Sequence, residues 1–179
     1  MPTHIALFRG INVGGTGKLP SKALVSLLED LGAEEVRTYI QSGNAVFRHA
    51  TRAAAGRSLA RTIERAVLDA HGFEPAVLVL TPARLAQAAA GNPFPEGEEE
   101  PSKLHLSFLA ETPQAPNRDK LEALRAGRER FALVEDVFYL HAPDGVARSK
   151  LAAGAERALG VAATARNWRT VQKILALAD

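Results

Sequence analysis

The 179-residue sequence predicts an α+β protein built from two β-α-β-β-α-β-type halves. The second half is expected to lack or shorten its last strand and to end in an extra helix. Three observations lead there. Over the first 81 residues, short apolar runs alternate with segments of helical spacing in the order strand, helix, strand, strand, helix, strand. After a proline- and glutamate-rich interruption the same order begins again. The composition, 46% hydrophobic and 23% charged, is that of an ordinary globular chain and excludes wholesale disorder and fibrous repeats.

Each element has a local reason. Residues 4–9 are apolar and end at Gly10, as in a buried strand, and a glycine-rich loop from Gly10 to Lys18 follows. Leu24, Leu27, Leu28 and Leu31 recur at helical spacing, with Gly32 as the stop. Residues 35–41 and 44–49 read as strands joined through Ser42-Gly43, a hairpin signal. Leu59, Ile63, Val67 and Ala70 mark a second helix ending near Gly72, and Ala76–Leu80 is a strand stopped by Pro82. This order is the ferredoxin-like pattern. Residues 81–90 suggest a short alanine-rich helix. Three prolines and the run Glu98-Glu99-Glu100 then make residues 91–101 a loop and a domain boundary. Beyond it come a strand carrying Leu104, Leu106 and Phe108, a polar helix over 118–127, strands over 131–137 and 138–142, and helices over 149–159 and 167–178. The expected organisation is an N-terminal half over 1–81, a helix and linker over 82–103, and a C-terminal half over 104–179.

The net charge is +2, from 22 Lys and Arg against 20 Asp and Glu, and the surplus lies in residues 1–81. A duplex-DNA binder carries a denser basic field. Without cysteine there is no disulfide, thiolate nucleophile or zinc ribbon. The N-terminus Met1-Pro2-Thr3-His4 lacks a basic leader, and no run approaches the roughly 18 apolar residues of a membrane span. A soluble cytoplasmic protein, with no membrane partner, is the expectation.

The glycine-rich loop invites a phosphate reading, because backbone N–H groups at a strand–helix junction cradle anions. The P-loop pattern fails at both ends: Asn12 stands where its first glycine belongs, and Leu19 where its hydroxyl belongs. A connector needing positive φ explains the same glycines. Topology adds that, in a β-α-β-β-α-β sandwich, Arg9, Asn12 and Lys18 share a sheet edge with Gln41, Ser42 and Asn44, which makes a polar pocket rim.

Five stretches carry a resemblance. Arg9-Gly10-Ile11-Asn12-Val13-Gly14-Gly15, Thr38-Tyr39-Ile40-Gln41-Ser42-Gly43-Asn44, Asn92-Pro93-Phe94, Gly145 to Leu151 and Thr164 to Val171 come in chain order. They resemble the signature of a bacterial family known as domain of unknown function 1697. Ser21 departs from that family's methionine, a difference confined to local packing. The resemblance implies a two-part α+β protein with ferredoxin-like topology and brings no activity. It also marks which side chains to weigh: Arg9, Gly10, Asn12, Gly14, Gly15, Lys18, Gln41, Ser42, Gly43, Asn44, Arg148, Lys150, Arg166, Asn167 and Trp168. The polar ones are cations, amides and hydroxyls. Such a set binds phosphate or carboxylate and is poorly equipped for a divalent metal or for carboxylate and histidine acid–base chemistry. No catalytic residue and no cofactor is assigned. Ser149 beside Lys150 reads as a helix cap, since adjacent helical residues point in different directions.

Other candidates have plainer readings. The five histidines show no metal spacing, although His105 and Tyr139/His141 are expected to share one face of neighbouring strands. Arg57, Arg61 and Arg65 form a helical stripe suited to phosphates or to a solvated face with Asp69. Trp168 reads as a packing anchor, or as a stacking platform for a base with Arg166 and Asn167 beside it. The leading function is binding of a small phosphorylated or nucleotide-like anion by Arg9, Lys18 and the Gln41–Asn44 hairpin, joined by Arg166 and Asn167. The alternatives are RNA or single-stranded nucleic acid on an open sheet face, disfavoured by only 6% aromatic residues, and a protein-interaction module without ligand.

Overall fold

A computed structural model of the chain describes all residues, 1–179. The chain divides into two units, Met1–Gln87 with Gln172–Asp179, and Ala88–Val171. In the first unit the order is β1 (Thr3–Arg9), α1 (Ser21–Asp30), β2 (Glu34–Thr38), β3 (Asn44–Arg48), α2 (Gly56–His71) and β4 (Ala76–Leu80). After α3 (Pro82–Ala90) come β5 (Leu104–Leu109), α4 (Arg118–Leu124), β6 (Arg130–Val134), β7 (Val137–His141), α5 (Lys150–Leu159), β8 (Ala163–Asn167) and α6 (Trp168–Ala178). The two sheets repeat one topology, β2-β3-β1-β4 and β6-β7-β5-β8, antiparallel throughout. This is the α+β architecture and strand order that the sequence leads one to expect.

One difference is the last strand. The second half neither lacks nor shortens it: β8 spans five residues, as β4 does, and pairs with β5 from His105↔Asn167 to Leu109↔Ala163. Its sequence, Ala-Thr-Ala-Arg-Asn, is too polar to read as a strand. As the edge of the sheet it needs no continuous apolar run. The β6–β7 hairpin turns at Glu135-Asp136, two residues earlier than the pattern suggests. Glu135 supplies the left-handed φ of 54° that a glycine usually advertises. The segment from Ala88 to Lys103 is not a free linker. The Tyr139 hydroxyl donates to Ala88 O (2.7 Å), Glu96 pairs with Arg130, and Phe94 is buried. His105 and the pair Tyr139/His141 lie on opposite faces, because His105 stands opposite Leu140, whereas Leu104 and Leu106 stand opposite His141 and Tyr139.

In the first unit α1 and α2 pack Leu24, Leu27, Leu28, Leu59, Ile63 and Val67 against Ala6, Phe8, Ala45 and Phe47 of the sheet. In the second, α4 and α5 place Leu121, Leu151, Ala155 and Leu159 against Phe138 and Leu140. Each fully buried Leu, Ile or Phe contributes about 1.5–3 kcal/mol. Both α2 and α5 end in a left-handed glycine, Gly72 and Gly160, whose N–H closes on the carbonyl four residues back. Both also send a glutamate to the edge strand that follows: Glu64 accepts from Val77 N (2.8 Å) and Glu156 from Ala163 N (3.3 Å).

Three histidines are held below the usual imidazole range: His4 and His105 by burial, and His141 by burial and then by the Arg130 charge. His105 is pushed down to about 4. His4 Nε2 donates to Thr51 O (3.0 Å), and its buried Nδ1 has no hydrogen-bond partner.

Unfolded, these rings take up protons as the pH falls below about 6.5, while the folded chain resists protonation down to lower pH. Their stabilising contribution is therefore complete above pH 6.5 and is lost as pH falls toward 4. The melting temperature should drop through that window, and His105→Gln should flatten the slope; an unchanged slope would remove His105 from the account. A second measurement concerns Gly43. At its φ of +81°, an added Cβ would lie 2.5 Å from Phe8 Cβ and 2.6 Å from Ile11 Cδ1. Gly43→Ala should cost about 2–4 kcal/mol in urea denaturation. Gly14→Ala, at φ +61° with nothing within 4 Å, should cost about 1 kcal/mol. Equal losses would mean that the contact with Phe8 yields.

Candidate functional site

The loop after β1 is a miniature hairpin. Gly14 and Gly15 both take positive φ, and Thr16 N donates to Val13 O (3.2 Å) across them, a tight turn that only such residues form without strain. Asn12 N donates to Gly17 O (2.9 Å) one step further back. Gly17 is obligatory, because its Cβ would lie 2.7 Å from Gly10 O. Buried Ile11 and Leu19 anchor the two ends.

Asn12 joins this loop to the next. Its Oδ1 accepts from Leu19 N (2.8 Å), and its Nδ2 donates to Leu19 O (2.8 Å) and to Gln41 O (2.7 Å). Both amide hydrogens are thereby used. On the other side of the clasp, Asn44 is buried, and its Nδ2 donates to Tyr39 O (2.9 Å) and Ser42 Oγ (3.2 Å). Phe8 N donates to Gly43 O (2.8 Å), so β1 itself is tied to the hairpin tip. Between them Ile40 sits at φ 50°, a conformation that β-branched residues rarely adopt.

The structure therefore brings the two predicted segments together and divides the predicted residues by role. Asn12, Gly43 and Asn44 build the frame. Arg9, Gly10, Gly14, Gly15, Lys18, Gln41 and Ser42 are exposed on it. Two cations, an amide and a hydroxyl on a hydrogen-bonded frame suit charge-assisted hydrogen bonds to an anion. Two apolar residues at this edge gave no sign of exposure in the sequence, Val13 (64% exposed) and Ile40 (52%). Ile40 lies in what reads as the end of a strand, but β2 stops at Thr38.

Arg148, Lys150, Arg166, Asn167 and Trp168 lie in the second unit. Arg148 and Lys150 are exposed around Ser149, whose Oγ accepts from Ala152 N (2.9 Å) as the cap of α5. Asn167 Oδ1 caps α6 by accepting from Thr170 N (2.9 Å). Arg166 Nη1 donates to Ala165 O (2.8 Å), and burial pushes its guanidinium down to about 10, still charged at neutral pH. Trp168 is only 5% exposed. A ring buried to that degree anchors its helix and offers no face for a base, which corrects the stacking reading. Within each unit, one face of the sheet is covered by that unit's own helices. No helix is long and apolar enough to cross a membrane.

The fold is shared with a known structure. The conserved bacterial protein SP0830 from Streptococcus pneumoniae is similar over 99% of this chain and 98% of its own, with a TM-score of 0.67 at 22% sequence identity. No curated protein matches the chain. A family model described as "Protein of unknown function (DUF1697)" matches residues 1–139, a stretch that contains the whole Asn12 clasp. By that match the chain belongs to the DUF1697 family.

Proposed function

We propose that the protein binds a small anionic ligand, phosphorylated or nucleotide-like, at the glycine-rich loop and the β2–β3 hairpin. The observation that carries this reading is the Asn12 amide. It is spent on holding two loops together, which leaves Arg9, Lys18, Gln41 and Ser42 exposed on a fixed frame. Binding groups held in advance lose little entropy on capture of a ligand, and cations beside amides favour phosphate over a neutral molecule. In the second unit, Arg148, Lys150, Arg166 and Asn167 offer further cationic and amide groups of the same kind. Arg166 retains its charge through any physiological pH.

A thermal-shift panel of nucleotides, sugar phosphates, small carboxylates and short oligonucleotides, at low and moderate salt, tests the reading. One small anion should raise the melting temperature and keep most of its effect at moderate salt; a ligand at about 100 times its Kd adds about 2.7 kcal/mol. A shift from oligonucleotides alone, lost at moderate salt, points to backbone phosphates instead. Silence across the panel sinks the proposal.

Variants separate frame from ligand contact. Arg9→Ala and Lys18→Ala should each abolish the ligand-induced shift while the ligand-free melting temperature stays within a few degrees, since exposed side chains contribute little to folding. Asn12→Ala should cost about 1–3 kcal/mol without ligand, because it strands the Leu19 and Gln41 backbone groups. A collapse of unliganded Arg9→Ala would make Arg9 a structural residue.

A further inference from the structure

Of the four large apolar side chains that the chain leaves exposed, Met1, Val13, Ile40 and Val134, two flank the Asn12–Gln41 hydrogen bond. Val13 follows Asn12, and Ile40 precedes Gln41. Both are held in place. Val13 O accepts from Thr16 N (3.2 Å) and from Thr16 Oγ1 (3.2 Å), which fixes the start of the tight turn. Ile40 lies between two carbonyls that side-chain amides grip: Tyr39 O accepts from Asn44 Nδ2 (2.9 Å) and Gln41 O from Asn12 Nδ2 (2.7 Å). Tyr39 N also donates to Asn44 O (3.0 Å). With the peptides on both sides pinned, Ile40 is kept at φ 50°. A β-branched residue is strained in this left-handed region, which asparagine and glycine enter readily. Strain of this kind persists where the surroundings over-determine it, and it gathers at ligand clamps. The frame thus holds an apolar side chain in water, in a backbone conformation that the residue disfavours.

The charge around the pair is one-sided. Residues 9–18 and 38–44 contain Arg9 and Lys18 and no Asp or Glu. Glu74, two residues before Ala76, the register partner of Arg9, offsets at most one of those two cations. We propose that the anion bound at this edge is amphipathic: a phosphate monoester whose aromatic or alkyl body covers Ile40 and Val13 while its charged head meets Lys18 and Arg9. The inference rests on the anion-binding reading of this edge and narrows its ligand class. Inorganic phosphate or a sugar phosphate leaves both apolar side chains in water, whereas an apolar body removes them from it and gains affinity. Side chains on a frame that is already fixed lose little entropy when covered.

Amide chemical-shift titrations of the full chain with inorganic phosphate, ribose 5-phosphate, 1-naphthyl phosphate and neutral 1-naphthol test this. 1-Naphthyl phosphate should bind about tenfold tighter than the other two phosphates, with shifts centred on Val13, Lys18, Ile40 and Gln41, and 1-naphthol should bind far more weakly. Lys18→Ala should weaken all three phosphates alike. Ile40→Asn should raise the ligand-free melting temperature by about 2–4 °C, because asparagine accepts the left-handed backbone. It should also cut the preference for the naphthyl ester to about threefold or less. Val13→Ser should narrow that preference without raising the melting temperature. If the three phosphates bind equally, or Ile40→Asn keeps the preference, the amphipathic ligand is wrong while anion binding stands. A lower melting temperature for Ile40→Asn would make Ile40 a structural residue and overturn the proposal. Binding of no phosphate, shifts centred elsewhere, or 1-naphthol binding as tightly as its phosphate removes the anion site and this inference together.

Discussion

Three hydrogen bonds from one side-chain amide hold the business edge of the first unit in shape. Asn12 reaches both backbone groups of Leu19, seven residues on, and the carbonyl of Gln41, twenty-nine residues on. Without them the glycine-rich loop would have only its internal closures, Asn12 N on Gly17 O and Thr16 on Val13 O, to set its course. A loop with glycines at 10, 14, 15 and 17 is conformationally expensive to order. The amide offsets that cost with contacts that a longer or charged side chain could not reproduce, because both a donor and an acceptor face Leu19. Gly43 completes the arrangement from the other side, where only the absence of a Cβ lets the hairpin tip close on Phe8 and Ile11. Arg9, at the end of β1 opposite Ala76, and Lys18, next to the anchored Leu19, are exposed at this edge.

Most of the fold was legible because it rests on periodicity. The leucines of α1, the Leu59–Ile63–Val67 stripe of α2 and the stops at Gly32 and Gly72 announce themselves at short range. What escaped does not. Strand β8 is polar because it is an edge strand. Its identity depends on pairing with β5, from 54 residues apart at Leu109↔Ala163 to 62 at His105↔Asn167. The β6–β7 turn uses Glu135 in a conformation that sequence habits assign to glycine or asparagine. In the candidate site, the convergence of two motifs followed from topology alone. The division of labour within them did not, since Asn12 and Asn44 are bound by backbone carbonyls that no residue pattern records.

The two halves solve the same problem with different residues. Each sheet has the order second, third, first, last, and each covers one face with the helices that follow its first and third strands. In the second unit that packing is close enough that a Cβ on Gly154 of α5 would lie 2.6 Å from Leu124 Cδ1. In the first, the seam between α1 and α2 is lined by alanines and remains open on its outer side. The repeated topology thus carries a closed helix pair in one copy and an open one in the other.

The glutamates that follow the helices to the last strands have a bearing on life in a crowded solution. Strands β4 and β8 are sheet borders, and a border strand presents backbone donors to any other extended chain it meets. Glu64 occupies the donor of Val77, and Glu156 that of Ala163. Each carboxylate also brings negative charge to the border, so an incoming strand meets both a donor already taken and a repelling group. At the opposite border of the first sheet, β2 carries Glu34, Glu35 and Arg37 and an irregular register between Glu34 and Arg37. Edge-to-edge polymerisation is thereby resisted on both sides of that sheet, a colloidal safeguard written into residues that contribute little to the core.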